Sequence, residues 1–206
     1  MGYIIAVILG YLLGCSSMAY YLAKWKKADL RGGGSGNLGA SNATVLLGWR
    51  AGVLVAVHDI GKAVVAVLLA KWLFPALAYA GAAAGVACVL GHIFPFYLKF
   101  KGGKGLASYF GMTLALDWKL ALLVGAAIVI VTLVTDYIVC GTVATVVTVP
   151  MYVGLISHSW LTAAILGVAT LVILCKHRDN YRRIFNGTEF GLRSAIRGDN
   201  RLDKKK

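Results

Sequence analysis

Residues 51–74 read AGVLVAVHDIGKAVVAVLLAKWLF, an almost continuous apolar run of 24 residues. Wound into a helix at about 1.5 Å per residue, this run is roughly 36 Å long, which exceeds the ~30 Å hydrocarbon core of a bilayer. A helix also satisfies its own backbone hydrogen bonds, which lipid cannot do. The run therefore predicts a transmembrane helix.

Further apolar blocks of similar composition lie on both sides of this run. They occupy residues 1–23, 76–93, 120–135, 137–157 and 161–175. Over all 206 residues, 59 % are hydrophobic and only 14 % are charged, whereas soluble domains carry about 25 % charged residues. The first block has neither a basic leader nor a small-residue cleavage site, which favours a retained helix over a signal peptide. We predict an all-α integral membrane protein whose residues 1–206 form a single domain, with a basic tail from about residue 190.

The net charge of +13 is concentrated in segments between or after the apolar blocks. Basic residues cluster within 24–50, 99–104 and 176–206, and the positive-inside rule places all three segments in the cytoplasm. This distribution suits anionic lipid headgroups and argues against nucleic acid as a partner. If the second and third segments are both cytoplasmic, the chain must cross the membrane an even number of times between them. Only three long apolar blocks, 120–135, 137–157 and 161–175, lie there. The short stretch from Leu106 to Leu116 therefore has to supply a fourth crossing. The sequence predicts about seven transmembrane helices, with the N-terminus outside and the C-terminus in the cytoplasm; five is the alternative if two segments are re-entrant.

The first cytoplasmic segment contains a glycine-rich loop. Residues 31–42 read RGGGSGNLGASN, with five glycines between positions 32 and 39. Such a backbone can curl around an anion and offer it several N–H groups. Ser35, Asn37 and Asn42 add neutral hydrogen-bond donors. This mixture favours a binding loop over a flexible linker.

The second segment places a lysine among glycines before an apolar helix. Residues 91–105 read GHIFPFYLKFKGGKG. The amides around Lys104 would lie at a helix N-terminus, where phosphate binds readily. The segment is not a Walker A loop, because its spacing differs and Gly105 stands where that loop has a hydroxyl. His92, at the membrane boundary, could be a base, a hydrogen-bond donor or a packed interfacial histidine.

The third segment begins where the last apolar block ends. Residues 176–189 read KHRDNYRRIFNGTE, and a helix here would put His177 and Asn180 on one face. Glu189 is the only glutamate in the chain. Taken alone, this segment would fit a solvated amphipathic tail.

Two charged residues, Asp59 and Lys62, lie inside the apolar run 51–74 at a spacing that puts them on one helical face. Charges within a span are costly, so they predict either a mutual ion pair or a functional site. Thr142 adds a hydroxyl one turn into the sixth predicted span. The four cysteines lie in four different apolar blocks without metal-ligand spacing, so no metal site is predicted.

The three segments, in order and in loop placement, resemble the three signature motifs of the bacterial acyl-phosphate:glycerol-3-phosphate acyltransferases (the PlsY family). The resemblance implies a seven-helix enzyme of the bacterial inner membrane that forms lysophosphatidate for phospholipid synthesis. Its substrates would be acyl phosphate and glycerol-3-phosphate. Because an acyl phosphate is already activated, no cofactor is implied. No Ser-His-Asp or Cys-His set is apparent, so we expect direct transfer without an acyl-enzyme.

The motifs and their surroundings give a set of candidate site residues. Catalytic roles are predicted for Ser35, His92, Lys104, His177 and Asn180. Substrate or phosphate binding is predicted for Gly34, Gly36, Asn37, Asn42, Lys101, Gly102, Gly103, Gly105, Thr142 and Glu189. A supporting role is predicted for Asp59 and Lys62. The proton acceptor stays open between His92, His177 and the phosphate of the acceptor substrate itself.

One position departs from the family pattern. The family usually carries an arginine three residues after the last asparagine of the first motif, and this chain has Val45 there. Two hypotheses follow: glycerol-3-phosphate binds with a raised KM, or the natural acceptor carries no phosphate at that spot. In a helix continuing from near Asn42, Arg50 would point to another face and could not replace the missing guanidinium.

A third hypothesis, a small ion-coupled transporter using Asp59 and Lys62, is disfavoured because the other spans carry few polar residues.

Overall fold

The structure, a computed structural model, describes residues 1–197 of the chain and the side chains of residues 1–194. Over this range the chain consists of helices joined by turns and loops. In chain order the α-helices are α1 (Gly2–Cys15), α2 (Met18–Trp25), α3 (Ala40–Leu47), α4 (Trp49–Leu73), α5 (Ala80–Ile93), α6 (Leu106–Leu116), α7 (Trp118–Thr135), α8 (Ile138–Leu155), α9 (Trp160–Lys176), α10 (Arg178–Phe185) and α11 (Leu192–Arg197), with a 3₁₀ turn at Phe96–Leu98. The basic tail predicted from about residue 190 extends past the described residues at 198–206.

Five segments within 1–197 are long and apolar enough to cross a bilayer. They are Gly2–Trp25, Trp49–Leu73, Ala80–Leu98, Trp118–Thr135 and Ile138–Leu155. A sixth results if α9 and α10, which are bent by 45° relative to each other, form one broken span. The all-α membrane architecture is confirmed, whereas the number of seven crossings stays a prediction.

Helix α6 is the short stretch that the predicted topology needs as an extra crossing. Its 11 residues would extend only about 16 Å at 1.5 Å per residue. It is enclosed by other helices: Gly111 packs so closely on Ile60 of α4 that a Cβ would collide with the Ile60 carbonyl. On another side, the hydroxyl of the fully buried Tyr109 lies 3.1 Å from Thr170 Oγ1 of α9. Protein neighbours, not lipid, therefore provide most of the surroundings of α6.

The first glycine-rich segment leads into two helices instead of one. Gly48 has a φ of 90°, a conformation that favours glycine, and it ends α3 before α4 begins. The expectation of a continuous helix from Asn42 through Arg50 is therefore wrong, and Val45 and Arg50 belong to different helices. The Arg50 guanidinium carbon lies 5.5 Å from the ring centroid of Trp49. Arg50 is thus engaged by its neighbouring indole.

Helices α1 and α5 pack with their backbones almost in contact. Gly10 faces the backbone of Ala84, and Gly14 faces that of Cys88, with no room for a Cβ on either glycine. Small residues permit such close approach between helices in membranes. The tight packing fixes the position of α5, and with it the buried His92 in its last turn.

The first two glycine-rich segments meet at one end of the helix bundle. Nη2 of Arg31 donates to the backbone carbonyls of Leu98 at 3.1 Å and Lys101 at 2.9 Å. Because Arg31 begins the first loop and Lys101 begins the second glycine run, this guanidinium holds the two loops together.

The segment after α10 is fastened to the turn between α7 and α8. The backbone N–H of Leu192 donates to the carbonyl of Asp136 at 2.8 Å, and that of Arg193 donates to Asp136 Oδ1 at 2.7 Å. Asp136 itself has a φ of 70°. These bonds bring the end of the third segment back onto the same end of the bundle.

Candidate active site

The glycine run of the second segment is folded tightly against the end of α5. After the 3₁₀ turn the chain reverses, and the N–H groups of Gly102 and Gly103 donate to the carbonyls of Ile93 and His92 at 3.0 and 3.1 Å. A Cβ on Gly102 would collide with the His92 carbonyl, and one on Gly103 would collide with His92 Nε2. The loop can therefore adopt this path only with glycine at both positions.

Lys104 joins the second segment to the third. Its Nζ donates to Asn180 Oδ1 at 2.5 Å, and Asn180 Nδ2 donates to Glu189 Oε1 at 2.8 Å. The other oxygen of Glu189 accepts from Arg183 Nε at 2.5 Å. The cations Lys104 and Arg183 lie at the two ends of this network, and the Glu189 carboxylate lies between them. Its net positive charge beside the glycine loop suits an anionic ligand.

His177 occupies the junction between α9 and α10. It is buried, and its Nδ1 lies 2.8 Å from the carbonyl oxygen of Ile173. A carbonyl can only accept, so Nδ1 carries the proton. In the neutral imidazole the lone pair is then on Nε2, which can accept a hydrogen bond or a proton.

Asn42 shapes the loop of the first segment. Its buried Oδ1 accepts from the backbone N–H of Ser35 at 2.8 Å, and its Nδ2 donates to the carbonyl of Leu30 at 2.8 Å. Gly34 and Gly36 have φ values of 57° and 66°, which favour glycine. Ser35 is left exposed at the loop surface.

A second side chain, Asp29, closes the start of this loop. Its Oδ1 accepts from the N–H groups of Arg31 and Gly32, both at 2.9 Å. These two backbone hydrogen bonds hold the pKa of the Asp29 carboxyl below its usual value. Asp29 therefore stays ionised at neutral pH as a fixed part of the loop.

The charged residues inside α4 form an ion pair that extends to His92. Lys62 Nζ lies 2.8 Å from Asp59 Oδ1 and donates to the Ser16 carbonyl at 2.7 Å. His92 Nδ1 lies 3.0 Å from Lys62 Nζ and 3.3 Å from Asp59 Oδ1. Nearby, His58 Nε2 lies 3.0 Å from Ser16 Oγ. The cluster thus reaches the residue on which the glycine loop rests.

The family model described as glycerol-3-phosphate acyltransferase matches residues 4–187 of this chain. The chain belongs to the glycerol-3-phosphate acyltransferase family. The glycerol-3-phosphate acyltransferase 1 of Oceanobacillus iheyensis is 34 % identical over 209 residues, covering 95 % of this chain and 98 % of that protein. The glycerol-3-phosphate acyltransferase of Thermoanaerobacter pseudethanolicus is 38 % identical over 195 residues, covering 92 % and 95 %.

Solved structures of this acyltransferase family have the same fold. The crystal structure of PlsY, an integral membrane glycerol 3-phosphate acyltransferase, in its glycerol 3-phosphate form superposes with a TM-score of 0.89 at 30 % identity. The match covers 95 % of this chain and 98 % of that one. The lysophosphatidic acid form of PlsY gives a TM-score of 0.84 at 30 % identity, covering 93 % and 95 %.

The structure brings several of the predicted site residues of this acyltransferase family member into contact. The joined residues are His92, Gly102, Gly103, Lys104, Asn180 and Glu189, with Asp59 and Lys62 behind His92. His177 lies one helical turn before Asn180. The remaining predicted residues lie outside this network. Gly34, Ser35, Gly36, Asn37 and Asn42 belong to the first loop, and Gly105 directly precedes α6. Thr142 donates to the carbonyl of Ile138 at 3.0 Å, and the Lys101 side chain is exposed.

Two residues that hold the site were missed from the sequence. Arg31 links the two glycine loops, and Arg183 links α10 to Glu189. Both stand in basic runs that resemble an ordinary topology signal. In the sequence, the one signal for Arg183 was its position six residues before Glu189, the single glutamate of the chain.

Proposed function

We propose that this family member transfers an acyl group from acyl phosphate to the 1-hydroxyl of glycerol 3-phosphate, giving lysophosphatidate and inorganic phosphate. The observation that carries the proposal is the contact of Lys104 with Asn180. It sets an ammonium and a glycine loop beside α10, which begins directly after His177. The reaction would take place on the cytoplasmic face of the bacterial inner membrane, with the N-terminus outside and the C-terminus in the cytoplasm.

The reaction balances without an added reagent. The 1-hydroxyl oxygen forms a bond to the acyl carbonyl carbon, and charge develops on the former carbonyl oxygen. The bond between that carbon and the phosphate oxygen then breaks, and phosphate leaves with the electron pair. The hydroxyl proton passes to Nε2 of His177 and from there to the departing phosphate. Lys104 stabilises the charge that develops on the phosphates and the oxyanion.

An open apolar cavity next to the third segment supports a fatty acyl donor. It has a volume of about 510 Å³ and lies between α8, α9 and α10. Its lining comprises Val143, Leu174, Tyr181, Ile184 and Phe185. Tyr181 and Ile184 follow Asn180 along α10, so an acyl chain in this cavity would have its activated end near the polar network.

The surroundings of Ser35 support direct transfer of the acyl group without an acyl-enzyme. Ser35 is the serine among the predicted catalytic residues, and its hydroxyl would be the candidate nucleophile. Within the described residues, the Ser35 side chain has no hydrogen bond to a histidine or carboxylate that could activate it. Activation by an adjacent base is the usual requirement for a serine nucleophile. We therefore propose that the acyl group passes straight to the acceptor and that Ser35 acts as a donor at the loop surface.

The function is tested by incubating the purified protein with an acyl phosphate and a panel of acceptors. The panel contains glycerol 3-phosphate, dihydroxyacetone phosphate, glycerol 1-phosphate and glycerol, with products read by mass spectrometry. We expect lysophosphatidate and one equivalent of inorganic phosphate. Acylation that requires acyl-CoA or acyl carrier protein, with acyl phosphate inert, would overturn the proposed donor. Acylation of glycerol but not of its phosphate would overturn the proposed acceptor.

Val45 is the position at which this chain departs from the family pattern for binding the acceptor. It is 39 % exposed on α3, beside the first loop, where the family usually has arginine. A bidentate arginine–phosphate contact is worth on the order of 1.5–3 kcal/mol. If glycerol 3-phosphate is the natural acceptor, Val45→Arg is expected to lower its KM several-fold without changing the KM for acyl phosphate.

The matched control for this substitution is Val45→Leu, which adds volume without charge and is expected to leave both KM values unchanged. A wild type that already binds glycerol 3-phosphate tightly, combined with no gain or a loss in Val45→Arg, would mean that another basic residue holds this phosphate. A variant that improves only the use of another phosphorylated acceptor would favour the alternative acceptor.

A further inference from the structure

His92 has two ring nitrogens in different surroundings. Nδ1 faces the ion pair of Asp59 and Lys62, whereas Nε2 faces Gly103 so closely that it occupies the space of a side chain there. The His92 side chain is only 6 % exposed. Among the described residues, Nε2 has no hydrogen-bond partner. A buried ring therefore presents one unpartnered nitrogen to the glycine loop.

The number of protons on Lys62 determines which nitrogen of His92 carries a hydrogen. An ammonium has three N–H donors and no acceptor. Three atoms surround Lys62 Nζ within 3.0 Å: Asp59 Oδ1 at 2.8 Å, the Ser16 carbonyl oxygen at 2.7 Å and His92 Nδ1 at 3.0 Å. Each proton thus has one acceptor, and Nδ1 must be unprotonated to serve as the third. The opposite arrangement, with Nδ1–H donating to Asp59 at 3.3 Å, leaves one ammonium proton without an acceptor.

We infer that Lys62 is a positioning residue that holds His92 as the Nε2–H tautomer, so that this N–H donates to a phosphate oxygen bound at Gly102–Gly105. The inference rests on the proposed function, since it takes the ligand of the loop to be a substrate phosphate. It gives His92 the role of donor, while the proton acceptor of the reaction is His177. Asp59 and the Ser16 carbonyl fix Lys62 in turn.

The tautomer is measured directly by ¹⁵N NMR of the full chain in lipid nanodiscs with labelled histidine, and the His92 signals are assigned with His92→Gln. We expect the wild type to carry its proton on Nε2. In Lys62→Met, Nδ1 is free to donate to Asp59, so the proton is expected to move to Nδ1. The KM for the phosphate substrate should then rise roughly tenfold, the size expected for one lost hydrogen bond to a charged group, with a smaller change in kcat.

Two further variants separate positioning from simple stability. Lys71→Met removes another ammonium of α4, one that donates to the Ala115 carbonyl at 2.9 Å, and it should change neither the tautomer nor the KM. If Lys62→Met fails to fold because Asp59 is left unpaired, the double variant Asp59→Asn, Lys62→Met removes both charges. Its side chain at position 59 can donate or accept, so the fraction of His92 that carries its proton on Nε2 should fall below that of the wild type.

A wild-type proton on Nδ1 would overturn the inference. So would a Lys62→Met protein that loses activity while its His92 keeps the proton on Nε2, because Lys62 would then act only on stability. Failure of the proposed function gives a different result. In that case the tautomer would respond to Lys62 as expected, but added glycerol 3-phosphate and inorganic phosphate would leave the His92 signals unchanged.

Discussion

The His177→Asn variant is expected to lose roughly 10²–10⁴-fold in kcat, the range for removal of a general base. Asparagine keeps an N–H near the position of Nδ1, so the hydrogen bond to the Ile173 carbonyl can persist. It removes the lone pair of Nε2, on which proton transfer depends. The KM values for both substrates should change by much less than kcat, because the phosphate-binding groups are retained.

The matched control is His158→Asn, at an exposed position with a φ of 51° that asparagine tolerates. This variant should behave like the wild type. Steady-state kinetics with both substrates varied distinguish the outcomes. A loss of less than about tenfold in kcat for His177→Asn would assign the proton to the phosphate of the acceptor instead. A raised KM with kcat unchanged would make His177 a binding residue only.

The second large effect is expected for Lys104→Ala. Loss of a charge-assisted hydrogen bond to phosphate is worth about 1.5–3 kcal/mol, or roughly ten- to a hundredfold in kcat/KM. Removal of this ammonium also deprives Asn180 of its 2.5 Å donor, so this hydrogen bond between the glycine loop and α10 is lost. The combined effect should be at the upper end of this range. It is measured as kcat/KM for each substrate.

Lys119→Ala provides the comparison, since Lys119 lies at the start of α7 and its Nζ is 5.8 Å from the ring centroid of Trp118. Its kcat/KM should stay within about twofold of the wild type. Equal losses in the two variants would show that the Lys104 charge acts through membrane topology alone. Asn180→Ala should weaken the effect of Lys104→Ala in a double variant, because the two side chains share one hydrogen bond.

The membrane fold could be predicted from the sequence because it depends on local properties. The length and apolarity of residues 51–74 require a spanning helix whatever its neighbours are. The break at Gly48 was missed, since glycine also occurs within membrane helices and only the conformation at that position ends α3. The shortness of α6 was visible, but its enclosure by α4 and α9 depends on tertiary contacts.

The sequence singled out residues of the candidate site but not the hydrogen bonds that connect them. Lys104, Asn180 and Glu189 were each singled out, and the structure adds that they form one hydrogen-bonded network. Asn42 of the first loop was predicted to bind substrate, and the structure adds that its amide shapes the loop. Such assignments depend on which atoms meet after folding, and the spacing of residues in a sequence does not contain that information.

The attachment of Leu192 and Arg193 to Asp136 has a consequence for biosynthesis. Glu189, which orients Asn180, lies between α10 and this attachment point, so its position depends on residues near the end of the described chain. A nascent chain emerging from the ribosome would already contain both glycine loops while lacking the partner of Lys104. The site would therefore be complete only after α10 has formed and the segment that follows it has docked on Asp136. Translation products that end before Glu189 would lack the complete Lys104–Asn180–Glu189 network.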